Sequence, residues 1–188
     1  MSRLQEVLVA APVESDSARL PDLLASNCWR GPGGTWWAGV LSSTRVRVVD
    51  APAGRLTLTG PLPAVQDPQY RYRFHFNGRL TVDGTVDGVP VRGVVDRPGL
   101  EGWWKNVTGF SRERKRARVV LEDGRTWWLR ATGPSAVTVT TTEGRVVARR
   151  GAQRGVHLDT AAGNVDQLVA LLLLTSIDRE DLLAIGSL

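Results

Sequence analysis

Asn164-Val165-Asp166-Gln167-Leu168-Val169-Ala170-Leu171-Leu172-Leu173-Leu174-Thr175-Ser176-Ile177 is the stretch whose pattern decides the fold. Its opening carries helix-start chemistry: Asn164 as N-cap, Gln167 at the third helical position to reciprocate, and Asp166 facing the positive end of the helix dipole. From Leu168 to Leu174 no polar face exists, and the next charges are Asp178-Arg179-Glu180-Asp181. A helix apolar all round must be enclosed on every side, by protein or by lipid. Spanning a bilayer needs about 20 apolar residues, and this run falls well short. Enclosure by protein is therefore expected, and the only material for it is the chain that precedes the helix.

That preceding chain has the texture of short strands. Tyr70-Arg71-Tyr72-Arg73-Phe74-His75-Phe76 alternates aromatic with polar residues, as a strand with one buried face does. Asn77-Gly78 is a strong hairpin signal, and Arg79-Leu80-Thr81-Val82 reads as the return strand. Asp83-Gly84, Asp87-Gly88, Asp123-Gly124 and Glu143-Gly144 punctuate the chain in the same way. Between these turns lie Trp36 to Leu41, Arg45 to Asp50, Arg55 to Thr59, Val89 to Val95, Gly102 to Val107, Arg116 to Leu121, Arg125 to Ala131, Ala136 to Thr141, Arg145 to Arg149 and Gly155 to Asp159. Roughly a dozen short strands follow, the pattern of an antiparallel sandwich or barrel. Combined with the apolar helix, they predict a mainly β fold: a closed antiparallel barrel of about twelve strands around its own C-terminal helix. Residues 1–34 read as an N-terminal arm, with a short helix near Asp16 to Ala25 on which Leu20, Leu23 and Leu24 share a side, and residues 35–188 as the barrel.

Composition bounds the classes. The 188 residues suit one domain, and 42% hydrophobic with 23% charged residues is ordinary soluble usage. Cys28 is the single cysteine, so neither an internal disulfide nor a site of several thiolates is possible, which fits a reducing compartment. Gln5 and Glu6 interrupt the first apolar run, so no export signal is read and a cytoplasmic or membrane-peripheral location is expected, with no transmembrane segment. Of the net charge of +5, the stretch from Arg112 to Arg118 holds five basic residues against Glu113, or +4, leaving about +1 for the remainder. A nearly neutral body thus carries one basic patch.

The order of a hairpin-rich region from Trp36 to Asp159 and the terminal NVDQLVALLLLTSID resembles the tubby C-terminal-like superfamily, which includes the phospholipid scramblases and the LURP-one-related proteins. The resemblance implies a barrel around a hydrophobic C-terminal helix, and a binding or anchoring domain more than an enzyme. Basic residues on the barrel engage anionic headgroups in tubby domains. Neither a cysteine-rich segment nor a calcium-binding acidic loop is present, so scramblase activity is not implied.

The residues that carry binding chemistry are Arg112, Arg114, Lys115, Arg116 and Arg118 as an anion-binding surface, with Trp103, Trp104 and Phe110 as interface aromatics. Guanidinium forks beside indoles suit a phospholipid headgroup layer, and also single-stranded nucleic acid. Arg149, Arg150 and Arg154 form a second, weaker basic group. Three tryptophan pairs, Trp36-Trp37, Trp103-Trp104 and Trp127-Trp128, each put one indole inside a strand's core face and one outside. Neither His75 nor His157 has a carboxylate or thiol at a recognisable spacing, and Gly31-Pro32-Gly33-Gly34-Thr35 lacks a phosphate-loop lysine. The expectation is a non-catalytic domain without metal or cofactor that binds an anionic phospholipid or a protein partner. The alternatives are a nucleic-acid-binding β domain and, third, an enzyme.

Overall fold

The computed structural model describes residues 5–10, 23–31, 33–41, 46–60, 80–96, 116–132, 136–150 and 156–177. The described chain is mainly β, one antiparallel sheet with a single C-terminal helix. Its strands are β1 (Gln5–Ala10), β2 (Leu23–Gly31), β3 (Gly34–Leu41), β4 (Arg47–Ala51), β5 (Gly54–Thr59), β6 (Leu80–Val86), β7 (Val89–Asp96), β8 (Arg116–Leu121), β9 (Thr126–Ala131), β10 (Val137–Thr141), β11 (Val146–Arg150) and β12 (Val156–Leu158). The helix, α1, spans Asn164–Ser176. From β2 to β12 each strand pairs with the next in chain order. β1 lies beside β12 through Gln5↔Leu158, Glu6↔His157 and Leu8↔Val156, and beside β2 through Val9↔Arg30 and Ala10↔Trp29.

The strands form because their apolar residues alternate. In β5, Leu56 and Leu58 are fully buried between exposed or half-exposed Arg55, Thr57 and Thr59. In β8, Ala117, Val119 and Leu121 face inward and Arg116, Arg118 and Val120 outward. Tight turns then fold successive strands back. At the β6–β7 turn both Asp87 (φ 52°) and Gly88 (φ 76°) take the left-handed conformation that a two-residue hairpin with the right twist requires.

Every residue from Leu168 to Leu174 is fully buried. The helix packs against β3, β4 and β5 and also against β9, β10 and β11. In a flat sheet, six strand spacings of about 4.8 Å would hold β5 and β11 on the order of 29 Å apart. Both touch one helix, so the sheet is rolled around it. None of the helices among the described residues is long and apolar enough to cross a membrane.

The rolled sheet has two unlike ends. The turns after β2, β4, β6, β8 and β10 are tight and share one end, where α1 also begins. There the Asn164 amide donates to both Asp87 carboxylate oxygens at 3.0 Å, and Arg145 grips the buried Asp159 carboxylate at 2.6 Å. Antiparallel order puts the C-terminal ends of β1, β3, β5, β7, β9 and β11 at the opposite end, the connection end.

Several expectations are corrected. Residues 1–34 are not an arm outside the sheet, because Gln5–Ala10 and Leu23–Gly31 are strands within it, and the 34/35 boundary falls at the β2–β3 hairpin. Leu23, Leu24 and Ala25 belong to β2 and not to a helix, since pairing with β3 overrides a weak helical spacing; Asp16 to Asp22 lie outside the described residues. Asn164 is not the N-cap. Gly163 holds that position without a side-chain cap, and the Gln167 amide donates to the Ala162 carbonyl at 2.7 Å. Contact with Asp87, distant in sequence, has won over the local capping box. The return strand Leu80-Thr81-Val82 forms the start of β6, but β5 and β7 occupy its two sides. Its expected partner Tyr70 to Phe76, and the expected strand Gly102 to Val107, lie outside the described residues.

Of the tryptophans, Trp29, Trp36 and Trp127 are in the core, with Trp29 directly opposite Trp36. Trp37 has the outward parity and is nevertheless buried, and Trp128 is half-buried on the outer face.

Candidate anion-binding face

Outward residues near the connection end of β8 to β12 line up in register. Arg116 on β8 is opposite Arg130 on β9, Arg130 opposite Thr138 on β10, Thr138 opposite Arg149 on β11, and Arg149 opposite His157 on β12. One residue pair further along, Arg118 faces Trp128. Directly opposed side chains on one face are about 4.5–5.5 Å apart at Cβ, and opposed like charges destabilise a sheet. Arg116 against Arg130 is such a pair, so their charge must be balanced by a neighbour.

The Trp128 ring, although uncharged, attracts both guanidiniums. The Arg116 guanidinium carbon lies 4.3 Å from the centre of the Trp128 ring, with Arg118 at 5.8 Å and Arg130 at 5.9 Å. Each guanidinium sits in the attractive field of the ring, worth about 0.5–1 kcal/mol at an exposed site and more when partly desolvated. The stack also restricts where these long side chains go, so less rotamer freedom remains to be lost when an anion binds.

The five basic residues named from sequence do not behave alike. Arg118 donates to Asp96 through Nε at 3.0 Å and Nη2 at 2.7 Å, a two-point pair that offsets its charge. That hydrogen bonding holds the Arg118 guanidinium above its ordinary pKa. Arg118 is therefore already engaged by a carboxylate on the neighbouring strand. Arg116 lies on the outer face as the strand alternation required, with Val119 and Leu121 in the core. Arg112, Arg114 and Lys115, and the aromatics Trp103, Trp104 and Phe110, lie outside the described residues.

Elsewhere on the surface arginines are paired: Arg55 with Asp50, Arg92 with Asp83, Arg125 with Asp123 and Arg145 with Asp159, at 2.6 to 3.1 Å. Among the described residues Arg130 and Arg149, both exposed, have no carboxylate partner. Arg30 has none either, but it sits by the β2–β3 turn at the far end. Arg130 and Trp128 were not chosen for the site from sequence. The alternation Trp127-Trp128-Leu129-Arg130 put them on one face, and only the register showed which arginines they meet. Arg149 joins the same face from the second basic group, whereas Arg150 has the inward parity opposite Val137, and Arg154 lies outside the described residues.

For catalysis the described residues offer little assembly. His157 is half-buried beside Arg149, and His75 lies outside the described residues. Among the described residues no three His, Cys, Asp or Glu side chains gather as metal ligands would. Comparison with family models, with curated proteins and with solved structures finds no match to this chain.

Proposed function

We propose that this chain is a non-catalytic, tubby-like closed barrel that docks on an anionic phospholipid surface from the cytoplasmic side. The observation that carries the reading is the arginine cluster around Trp128, with Arg116 stacked at 4.3 Å, beside Arg130 and Arg149, which have no carboxylate partner among the described residues. The Arg130 and Arg149 guanidiniums offer bidentate hydrogen bonds to phosphate, and a half-buried indole suits the headgroup level. The tubby-like reading is supported by the order of strands and by a helix buried on all sides, and closure by the position of β1 between β12 and β2.

Near an anionic membrane each basic residue is worth about 1 kcal/mol, so replacing Arg116, Arg130 and Arg149 together with glutamine is expected to weaken vesicle binding roughly a hundredfold. Co-sedimentation with phosphatidylserine vesicles at two salt concentrations measures this, and added salt should weaken the wild-type chain. Unchanged binding in the triple variant sinks the reading. Indifference to vesicles combined with steeply salt-dependent retention of single-stranded DNA or RNA would replace it with the nucleic-acid alternative.

A further inference from the structure

We infer that docking is controlled by pH through His157, which shares the outer face with the arginines and tightens binding to an anionic lipid surface when it gains its proton. This rests on the anionic-surface reading and deepens it by naming the regulation of that face. His157 stands in the middle of β12, half-buried on the outer side, between the inward Val156 and Leu158. Register sets it directly opposite Arg149, at the end of the row that runs Arg116, Arg130, Thr138, Arg149 and His157 across five strands. Side chains so opposed are about 4.5–5.5 Å apart at Cβ, inside the Debye length of about 8 Å at physiological ionic strength. An imidazolium there adds to the field of this face whichever rotamers the long arginines take.

The surroundings leave that proton free to exchange. His157 makes no hydrogen bond or ion pair with the described residues, so no described contact of the fold depends on its charge. The charged groups around it are Arg149 opposite on β11, Glu6 opposite on β1, and Asp159 two residues along its own chain, whose carboxylate is held by Arg145 at 2.6 Å. Carboxylates and guanidiniums keep their charge over the range in which histidine changes its own, so these groups supply a constant background. Opposed like charges on a sheet repel, which disfavours a second cation beside Arg149 while the face is bare. A phosphate layer against the face offsets that repulsion and attracts both groups. Proton and anionic surface therefore favour each other, and by linkage each strengthens the binding of the other by the same factor.

The test is co-sedimentation of the full chain with phosphatidylcholine vesicles containing phosphatidylglycerol, whose phosphodiester charge is constant, at pH values of about 7.5 and about 5.5 on either side of the ordinary histidine range. One added basic charge near an anionic surface corresponds to roughly a fivefold change in affinity, so the wild-type chain should bind roughly fivefold more tightly at the lower pH. In His157→Gln this ratio should fall to about one, while His75→Gln, which removes the other histidine, should retain it. His157→Arg, with a permanent charge, should bind at the higher pH about as tightly as the wild-type chain does at the lower. Equal wild-type binding at the two pH values, or a ratio that survives His157→Gln, overturns the inference and leaves the anionic-surface reading standing. Failure to bind these vesicles at both pH values overturns that reading and this inference with it.

Discussion

At Gly84 an added Cβ would stand 2.1 Å from the Arg55 carbonyl oxygen, and at Gly54 it would stand 2.1 Å from that of Thr85. Both glycines have positive φ, 156° and 154°, on adjoining strands whose backbones approach too closely for a side chain. Here the obstacle is backbone, which cannot swing aside. Gly84→Ala should therefore cost about 3 kcal/mol, combining conformational strain with overpacking. Gly124→Ala, also at positive φ (86°) but with nothing within 4 Å of the new atom, should cost only about 1 kcal/mol. Urea unfolding of the two variants compares them directly, and equal midpoints would show that the close approach of β5 and β6 is not rigid. The arginine pairs belong to this scale as well. One two-point contact with Asp96 is enough to take Arg118 out of a patch that its sequence neighbours suggest.

The helix is the element on which the sheet is built. It spans 13 residues, about 20 Å of axis, and its side chains from Leu168 to Leu174 touch strands from two separate arcs of the sheet. Leu171→Ala should destabilise the chain by about 2–5 kcal/mol through lost transfer energy and the cavity left behind. Leu171→Asp should leave no soluble folded protein, because an unpaired carboxylate in a dry interior costs several kcal/mol or more. The recovered soluble fraction and near-ultraviolet circular dichroism read the outcome. A soluble Leu171→Asp variant with the wild-type spectrum would mean that the helix is not enclosed. The start of the helix is held from outside itself, by Asp87 on Asn164, which is why its local capping pattern did not form.

For the molecule as a whole the proposed closure rests on β1. Five residue pairs join β1 to its two neighbours, with an irregular register between Glu6 and Leu8, whereas β2 and β3 alone share eight. An unpaired strand edge invites other chains, so a sheet with β1 absent would present two such edges. In hydrogen exchange the amides of β6 and β7, paired along their length, should be among the slowest, and those of Gln5 to Ala10 faster but still well below free-chain rates. Free-chain exchange across Gln5 to Ala10 would sink the proposed closure. The same scale assembles the candidate site, since Arg116, Arg130 and Arg149 come from three strands and meet only when the sheet has its register.

Local pattern by itself determined the class of the chain and most of its elements. Alternation in stretches such as Arg116 to Leu121, and Asp-Gly turns at Asp87 and Asp123, specify strands and reversals from neighbouring residues alone, and an apolar run too short for a bilayer demands a surrounding shell. Tertiary structure decided what depends on partners remote in sequence. It recruited Gln5–Ala10 and Leu23–Gly31 into the sheet, gave Leu80–Val82 different neighbours, moved the helix cap to Gly163, and sorted arginines that look alike in sequence into paired and unpaired. The physical reason is that periodicity sets which face a side chain takes. Register and long-range hydrogen bonds set what it meets there, and those energies are absent from any local stretch of chain.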